Sequence, residues 1–171
     1  MYRYISYSWM AVMVVLVQIF LLDNITIHIW LRPMIFPLIV LLLPMEWRTI
    51  WIMLVALAVA LVMDISLGGA GLYTLTLLPL AVLRPSVMYL TTNRAVEHGD
   101  QTSLLSRLSS RQLMIYISSA LLIYHAVFFM VEALSFANPL RLIMTTLCST
   151  LLSVVVAWPI VRIFMSKVRG R

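Results

Sequence analysis

From Ile50 to Leu67 the chain runs through eighteen residues that carry a single charge, on Asp64. A helix needs about 20 apolar residues to cross ~30 Å of hydrocarbon, and a run of this length has few other ways to hide its surface. The pattern recurs along the chain. Of the 171 residues, 63% are hydrophobic and 11% are charged, against about 25% charged in an average soluble domain. Too few polar residues remain to build an aqueous shell. The composition therefore points to an all-α integral membrane protein.

The hydrophobicity divides into six expected spans, at about 8–22, 27–44, 50–67, 72–90, 113–134 and 140–165, within one polytopic domain covering residues 1–171. The first follows Arg3 and ends at Leu21-Leu22-Asp23 without a small-x-small cleavage site, so it is expected to be retained. The second has a short core, Met34 to Leu43, with Pro33, Pro37 and Pro44 in and around it. Ten helical residues do not cross a bilayer. The segment must either borrow Ile27 to Leu31 or be re-entrant and packed inside the bundle. A polar stretch, Thr91 to Gln112, separates spans four and five; in it Leu104, Leu105 and Leu108 alternate with Arg107 and Arg111 as in a short interfacial helix. The single cysteine, Cys148, excludes an intrachain disulfide.

Lysine and arginine set the expected orientation. With the N-terminus inside, the cytoplasmic segments hold Arg3, Arg48, Arg94, Arg107, Arg111, Lys167, Arg169 and Arg171, and Arg84 and Arg162 can snorkel to the same side. Only Arg32 and Arg141 fall outside, so ten of the twelve basic residues favour cytoplasmic termini. The net charge of +6 thus reflects topology and attraction to anionic headgroups. The basic residues are dispersed and no aromatic-basic module accompanies them, which excludes a nucleic-acid partner.

Ionisable residues inside a membrane are costly, and so are the first candidates for function. Asp64 ends the third span just before Gly68-Gly69-Ala70-Gly71. The glycine turn could cradle an anion with its N–H groups. The blander alternative is a tight connection in which Asp64 interacts with the N-terminus of the fourth helix. His125 and Glu132 lie seven residues apart on one face of the fifth helix, with Phe128 and Phe129 between them. A proton relay is one use for such a pair. Satisfaction within the bundle is the other, with Arg141, across the Asn138-Pro139 turn, as the expected partner of Glu132.

Thr145, Ser149, Ser153 and Ala157 recur every four residues in the sixth span, a small-residue seam that permits close helix approach. Ala56 and Ala60 make a shorter version in the third. Such a seam serves either the chain's own bundle or a partner's single helix. The sequence lacks the hydrolase triad context, HExxH, P-loop, and haem or iron-sulfur patterns, and no ligand spacing suits a metal. No cofactor and no enzymatic activity are expected.

Several strings, taken in order, resemble the Bacteroidetes branch of the MreD family. Leu16-Val17-Gln18 followed by Leu22-Asp23-Asn24-Ile25 is similar to the end of that family's first helix. Met63-Asp64-Ile65, Gly71 and Arg84-Pro85 are similar in content and ungapped spacing. Most specific are Tyr124-His125-Ala126-Val127-Phe128, Glu132-Ala133-Leu134-Ser135-Phe136 and Cys148-Ser149-Thr150-Leu151-Leu152. Around the glycine turn the chain departs from the family, with Leu67, Ala70 and Tyr73 where members often carry Ser, Pro and Asn. The resemblance covers nearly the whole chain. It implies a multi-pass protein of the bacterial inner membrane in the rod-shape, or cell-elongation, machinery. Its implied partners are the bitopic protein MreC and, through it, actin-like MreB and the peptidoglycan synthases. It also implies a fold similar to the substrate-binding subunits of energy-coupling-factor transporters. On that resemblance Asp64, Gly71, Arg84, His125, Glu132 and the seam Thr145, Ser149, Ser153 and Ala157 are candidate contacts for a partner or ligand. The alternative function is a substrate-binding or transport subunit with an outward-facing pocket, drawing on Asp64, His28, Arg32 and Glu132.

Overall fold

A computed structural model of the protein describes residues 2–22, 31–44, 47–92, 105, 108–133 and 138–169. Every regular element among them is helical. Helix α1 covers Tyr2–Val17 and continues as a π-helical turn, Gln18–Leu22. Helix α2 is only Pro37–Leu42; α3 is Thr49–Leu67, α4 Leu72–Thr92, α5 Ser110–Ala133 and α6 Pro139–Arg169. Four of these, α3 to α6, are long and apolar enough to cross a membrane. Their outward side chains, such as Leu54, Ile65, Leu90, Leu151 and Ile163, are exposed apolar groups, as lipid contact requires. The chain is a membrane-embedded helical protein.

Helices α3, α4, α5 and α6 pack in sequence, each against the next. Helix α1 joins the two ends of this row. Its Tyr7 ring lies edge-on to Phe164 of α6, with centroids 5.1 Å apart, and its π-helical turn touches α3. The space enclosed is filled by residues 33–44, every one of which is buried.

That central segment is where the structure departs from a six-helix expectation. It is not a spanning helix. Residues 31–35 are non-helical, α2 supplies less than two turns, and Leu43 returns to an extended conformation. Proline explains the break: Pro33 and Pro44 disfavour helical geometry at the residues before them, Arg32 and Leu43, and Pro37 sits at the start of α2, where a missing N–H costs nothing.

The short segment nonetheless travels far. The N–H groups of Arg32 and Met34, two residues apart, donate to Ser149 and Ser153 of α6, four residues apart. Four helical residues rise about 6 Å, so the segment advances about 3 Å per residue, close to a strand's 3.3 Å. On α5, Arg32, Phe36 and Leu41 meet Glu132, Tyr124 and Tyr116 in turn. The sixteen residue steps from Tyr116 to Glu132 on α5 span about 24 Å at 1.5 Å each, covered by nine steps of the segment, Arg32 to Leu41. It runs parallel to α6 and antiparallel to α5. No borrowing of Ile27 to Trp30 is needed for this length; those residues lie outside the described ones.

An extended backbone at membrane depth must find its hydrogen bonds inside the protein. The Gln18 side chain bridges two positions, its Nε2 donating to the Pro33 carbonyl at 3.2 Å and its Oε1 accepting from the Ile35 N–H at 2.8 Å. Ser149 and Ser153 accept from Arg32 and Met34. The Ile35 and Phe36 carbonyls accept from Leu38 and Ile39 as α2 begins. Proline removes three further donors, at Pro33, Pro37 and Pro44. Phe36 then anchors the segment, packed edge-on against Tyr73 and Tyr124 with centroids 5.6 and 5.5 Å apart.

Replacing Gln18 with Leu should orphan the Pro33 carbonyl and the Ile35 N–H together. At about 1–3 kcal/mol for each of the two buried unsatisfied groups, the loss should be roughly 2–6 kcal/mol. Thermal unfolding in detergent should show a clear drop in midpoint for Gln18→Leu, and little for Phe20→Leu, at an exposed site on the same turn.

Candidate functional site

Asp64 and the glycine turn form a closed unit. At the end of α3, Gly68 takes a left-handed conformation (φ 69°), and the N–H groups of Gly68 and Gly69 return to the Asp64 carbonyl. Such a helix ending suits glycine, which has no Cβ to clash. The Asp64 carboxylate then reaches across the turn to α4. Oδ1 accepts from the N–H groups of Gly71 and Tyr73, each at 3.1 Å, and Oδ2 from the N–H and hydroxyl of Thr74, at 3.0 and 2.6 Å. A carboxylate here satisfies the open donors of the helix start and faces the positive end of its dipole. The amides that might have held an external anion are occupied by Asp64 itself. Gly69 is required for a different reason: a Cβ there would lie 2.5 Å from both Asp64 Oδ1 and the Tyr73 ring. The turn is a splice between two helices.

His125 is fully buried on α5. Its Nδ1 lies 2.8 Å from the Leu121 carbonyl, which can only accept, so Nδ1 carries the proton. Its Nε2 is 3.3 Å from Ser153 Oγ, which already accepts the Met34 N–H at 2.9 Å. The hydroxyl proton of Ser153 is thus free to point at Nε2, and every group in the chain Met34–Ser153–His125–Leu121 is satisfied with a neutral imidazole. Glu132 does not join it. Two turns along α5, it pairs with Arg32 at 2.5 Å, both side chains being exposed. The expected Glu132–Arg141 pair is therefore replaced by one that ties α5 to the central segment. Of the two uses weighed for His125 and Glu132, the geometry fits satisfaction within the bundle, each residue having its own separate partners.

The small-residue seam of α6 faces inward. Ser149, Ser153 and Ala157 are fully buried, and the first two are the hydrogen-bond partners of the central segment. Thr145 is off the seam, half-buried, and Thr146 takes the inward position instead. A spacing of four drifts around a helix of 3.6 residues per turn, so the buried line steps by three once. Ala56 and Ala60 of α3 are also fully buried.

Arg84 differs most from expectation. It does not snorkel to a surface; it is the largest fully buried side chain among the described residues. Its Nη2 donates to the carbonyls of Leu41, at 3.2 Å, and Leu43, at the end of α2. Tyr116 of α5 donates to the same Leu41 carbonyl at 3.4 Å. Together they close the far end of the central segment, where helix carbonyls lack intrahelical partners. Exposed Arg48, Arg111 and Arg162 lie toward this end of the bundle, whereas Asp64 and Glu132 lie at the other.

Among the described residues no group of three or more His, Cys, Asp and Glu could hold a metal ion. Asp23 and His28 lie outside the described residues, as does most of the Leu104–Arg107 stretch, of which Leu105 is buried. Sequence reasoning missed Gln18 and Tyr116, and paired Glu132 with Arg141 where the structure pairs it with Arg32. A signal for Gln18 did exist: an uncharged amide in the middle of an apolar span, followed by prolines that leave backbone groups needing partners. No family model, curated protein or solved structure matches the chain.

Two substitutions should separate structural from catalytic roles at these positions. Asp64→Ala loses four hydrogen bonds at a helix start and should lower stability by about 2–3 kcal/mol, read as thermal midpoint, with Asp64→Asn intermediate. Ser153→Leu should insert with unchanged topology but be degraded or thermally labile, since its extra volume falls on Met34 and His125. A Ser153→Leu protein as stable as wild type would remove the seam from the packing account.

Proposed function

We propose that this chain is a non-enzymatic scaffold of the MreD type in the bacterial cell-elongation machinery, acting by helix–helix contact with an MreC-like bitopic protein. Through that partner it meets actin-like MreB and the peptidoglycan synthases. One observation supports the reading beyond the sequence resemblance: Asp64, His125, Glu132, Ser149 and Ser153, the groups a catalyst or carrier would present, are spent on holding the central segment and the α3–α4 turn. A substrate-binding or transport subunit needs convergent polar groups free to meet a ligand. Here the axis of the bundle is filled by Met34 to Leu43.

The same proposal includes six crossings, with residues 31–44 as the second, both termini in the cytoplasm, and a fold similar to the substrate-binding subunits of energy-coupling-factor transporters. Two features favour this orientation: the exposed arginines Arg48, Arg111 and Arg162 gather toward one end of the bundle, and a bilayer places lysine and arginine on its cytoplasmic side. With the α6 seam engaged internally, the partner's helix meets lipid-facing side chains. Exposed candidates are Leu54, Leu61 and Ile65 on α3 and Leu147, Leu151 and Val155 on α6.

Photo-crosslinking residues at those six positions in cells should capture a single-span protein from one helix and not the other. Reporter fusions after Arg171 and within Thr91 to Gln112 should both report cytoplasm. No crosslinked partner from either helix, with normal protein levels, would sink the scaffold reading; a periplasmic reporter signal would sink the topology.

A further inference from the structure

The guanidinium of Arg84 is only partly satisfied. Nη2 makes two hydrogen bonds to carbonyls, but Nε and Nη1 are buried without a hydrogen-bond partner. Both described carboxylates, Asp64 and Glu132, are at the opposite end of the bundle and already engaged. Carbonyl dipoles satisfy donors but do not neutralise a charge. A buried arginine with two open donors and no counter-ion among the described residues is an unfinished ion pair.

We propose that the open side of Arg84 seats the phosphate of an anionic lipid headgroup. The chemistry fits the site in three ways. A guanidinium is well matched to phosphate oxygens and is less strongly hydrated than an ammonium, so it tolerates a site away from bulk water. Exposed Arg48, Arg111 and Arg162 toward the same end enrich anionic lipid around it. The exposed neighbours of Arg84 on α4, Val82, Leu83 and Leu90, are apolar and suit the acyl chains that such a ligand brings with it. Because Arg84 is fully covered, the headgroup must part the side chains at that end to bind, and its release is slow. The lipid then holds the last carbonyls of the central segment through Arg84, which makes the site a link between membrane composition and the core of the fold.

The test uses the full chain in nanodiscs of phosphatidylcholine alone or mixed with phosphatidylglycerol. Native mass spectrometry of wild type from the mixed discs should show one more retained phosphatidylglycerol than Arg84→Met, whereas Arg141→Gln, at an exposed site toward the opposite end of the bundle, should retain as many as wild type. Arginine Nε resonances give a second readout on the wild-type protein, which stands if Arg84→Met does not fold. The Arg84 Nε–H signal should shift when phosphatidylglycerol is present and stay unmoved by inorganic phosphate in phosphatidylcholine discs. A shift with inorganic phosphate alone assigns the seat to a free anion and overturns the lipid source. Equal retention by Arg84→Met, or no shift with either probe, overturns the site. A shift produced by Glu46→Gln in phosphatidylcholine discs also overturns it, by assigning the counter-ion to the chain itself.

Discussion

Hydrocarbon offers no hydrogen bonds, so any stretch of backbone that leaves helical geometry inside a membrane protein must be answered by neighbouring side chains. Residues 31–44 impose that demand here. They run through the centre of the bundle largely without a ladder of their own, and every surrounding helix except α3 supplies a polar partner. Gln18 comes from α1, Ser149 and Ser153 from α6, Arg84 from α4 and Tyr116 from α5. Helix α3 contributes packing, with Ala56 and Ala60 allowing close approach, and Asp64 at its end. The polar groups of the membrane domain are distributed by the needs of this segment.

Several local oddities follow from the same demand. The first helix widens into a π-helical turn at Gln18, the residue whose amide spans two backbone groups of the segment; such turns re-aim side chains within a helix. The serines of α6 are small enough to admit an extended chain alongside and polar enough to bond it, so one seam meets a steric and an electrostatic requirement together. His125 completes the hydrogen bonding of Ser153. Each polar side chain in the interior is better explained by its backbone partner than by its own reactivity.

Much of this was legible in the sequence, and the failures share a cause. Composition and run length gave the membrane class and the positions of α3 to α6, because those spans are continuous and amphipathicity matters little in lipid. The reading of Asp64 as the partner of the next helix's N-terminus rests on local spacing, and local spacing was enough. For the second span the sequence left two alternatives open, and the packed one holds for residues 33–44; the length rule assumes 1.5 Å per residue, whereas an extended segment covers the same distance with fewer. Glu132 was assigned to Arg141 because they are neighbours in sequence, whereas Arg32, a hundred residues away, is the neighbour in space. Arg84 resembles an ordinary snorkelling arginine by position; only the path of the central segment reveals its carbonyl partners.

The account stands or falls on the central segment being extended, dry and hydrogen-bonded to side chains. Hydrogen exchange at single amides of the full protein in lipid nanodiscs tests this most directly. The N–H groups of Met34 and Ile35 should exchange as slowly as those in the middle of α5, and Ser153→Ala should release Met34 far more than Ile35. Rapid exchange at both amides in the wild type, or equal release of both by Ser153→Ala, would contradict it.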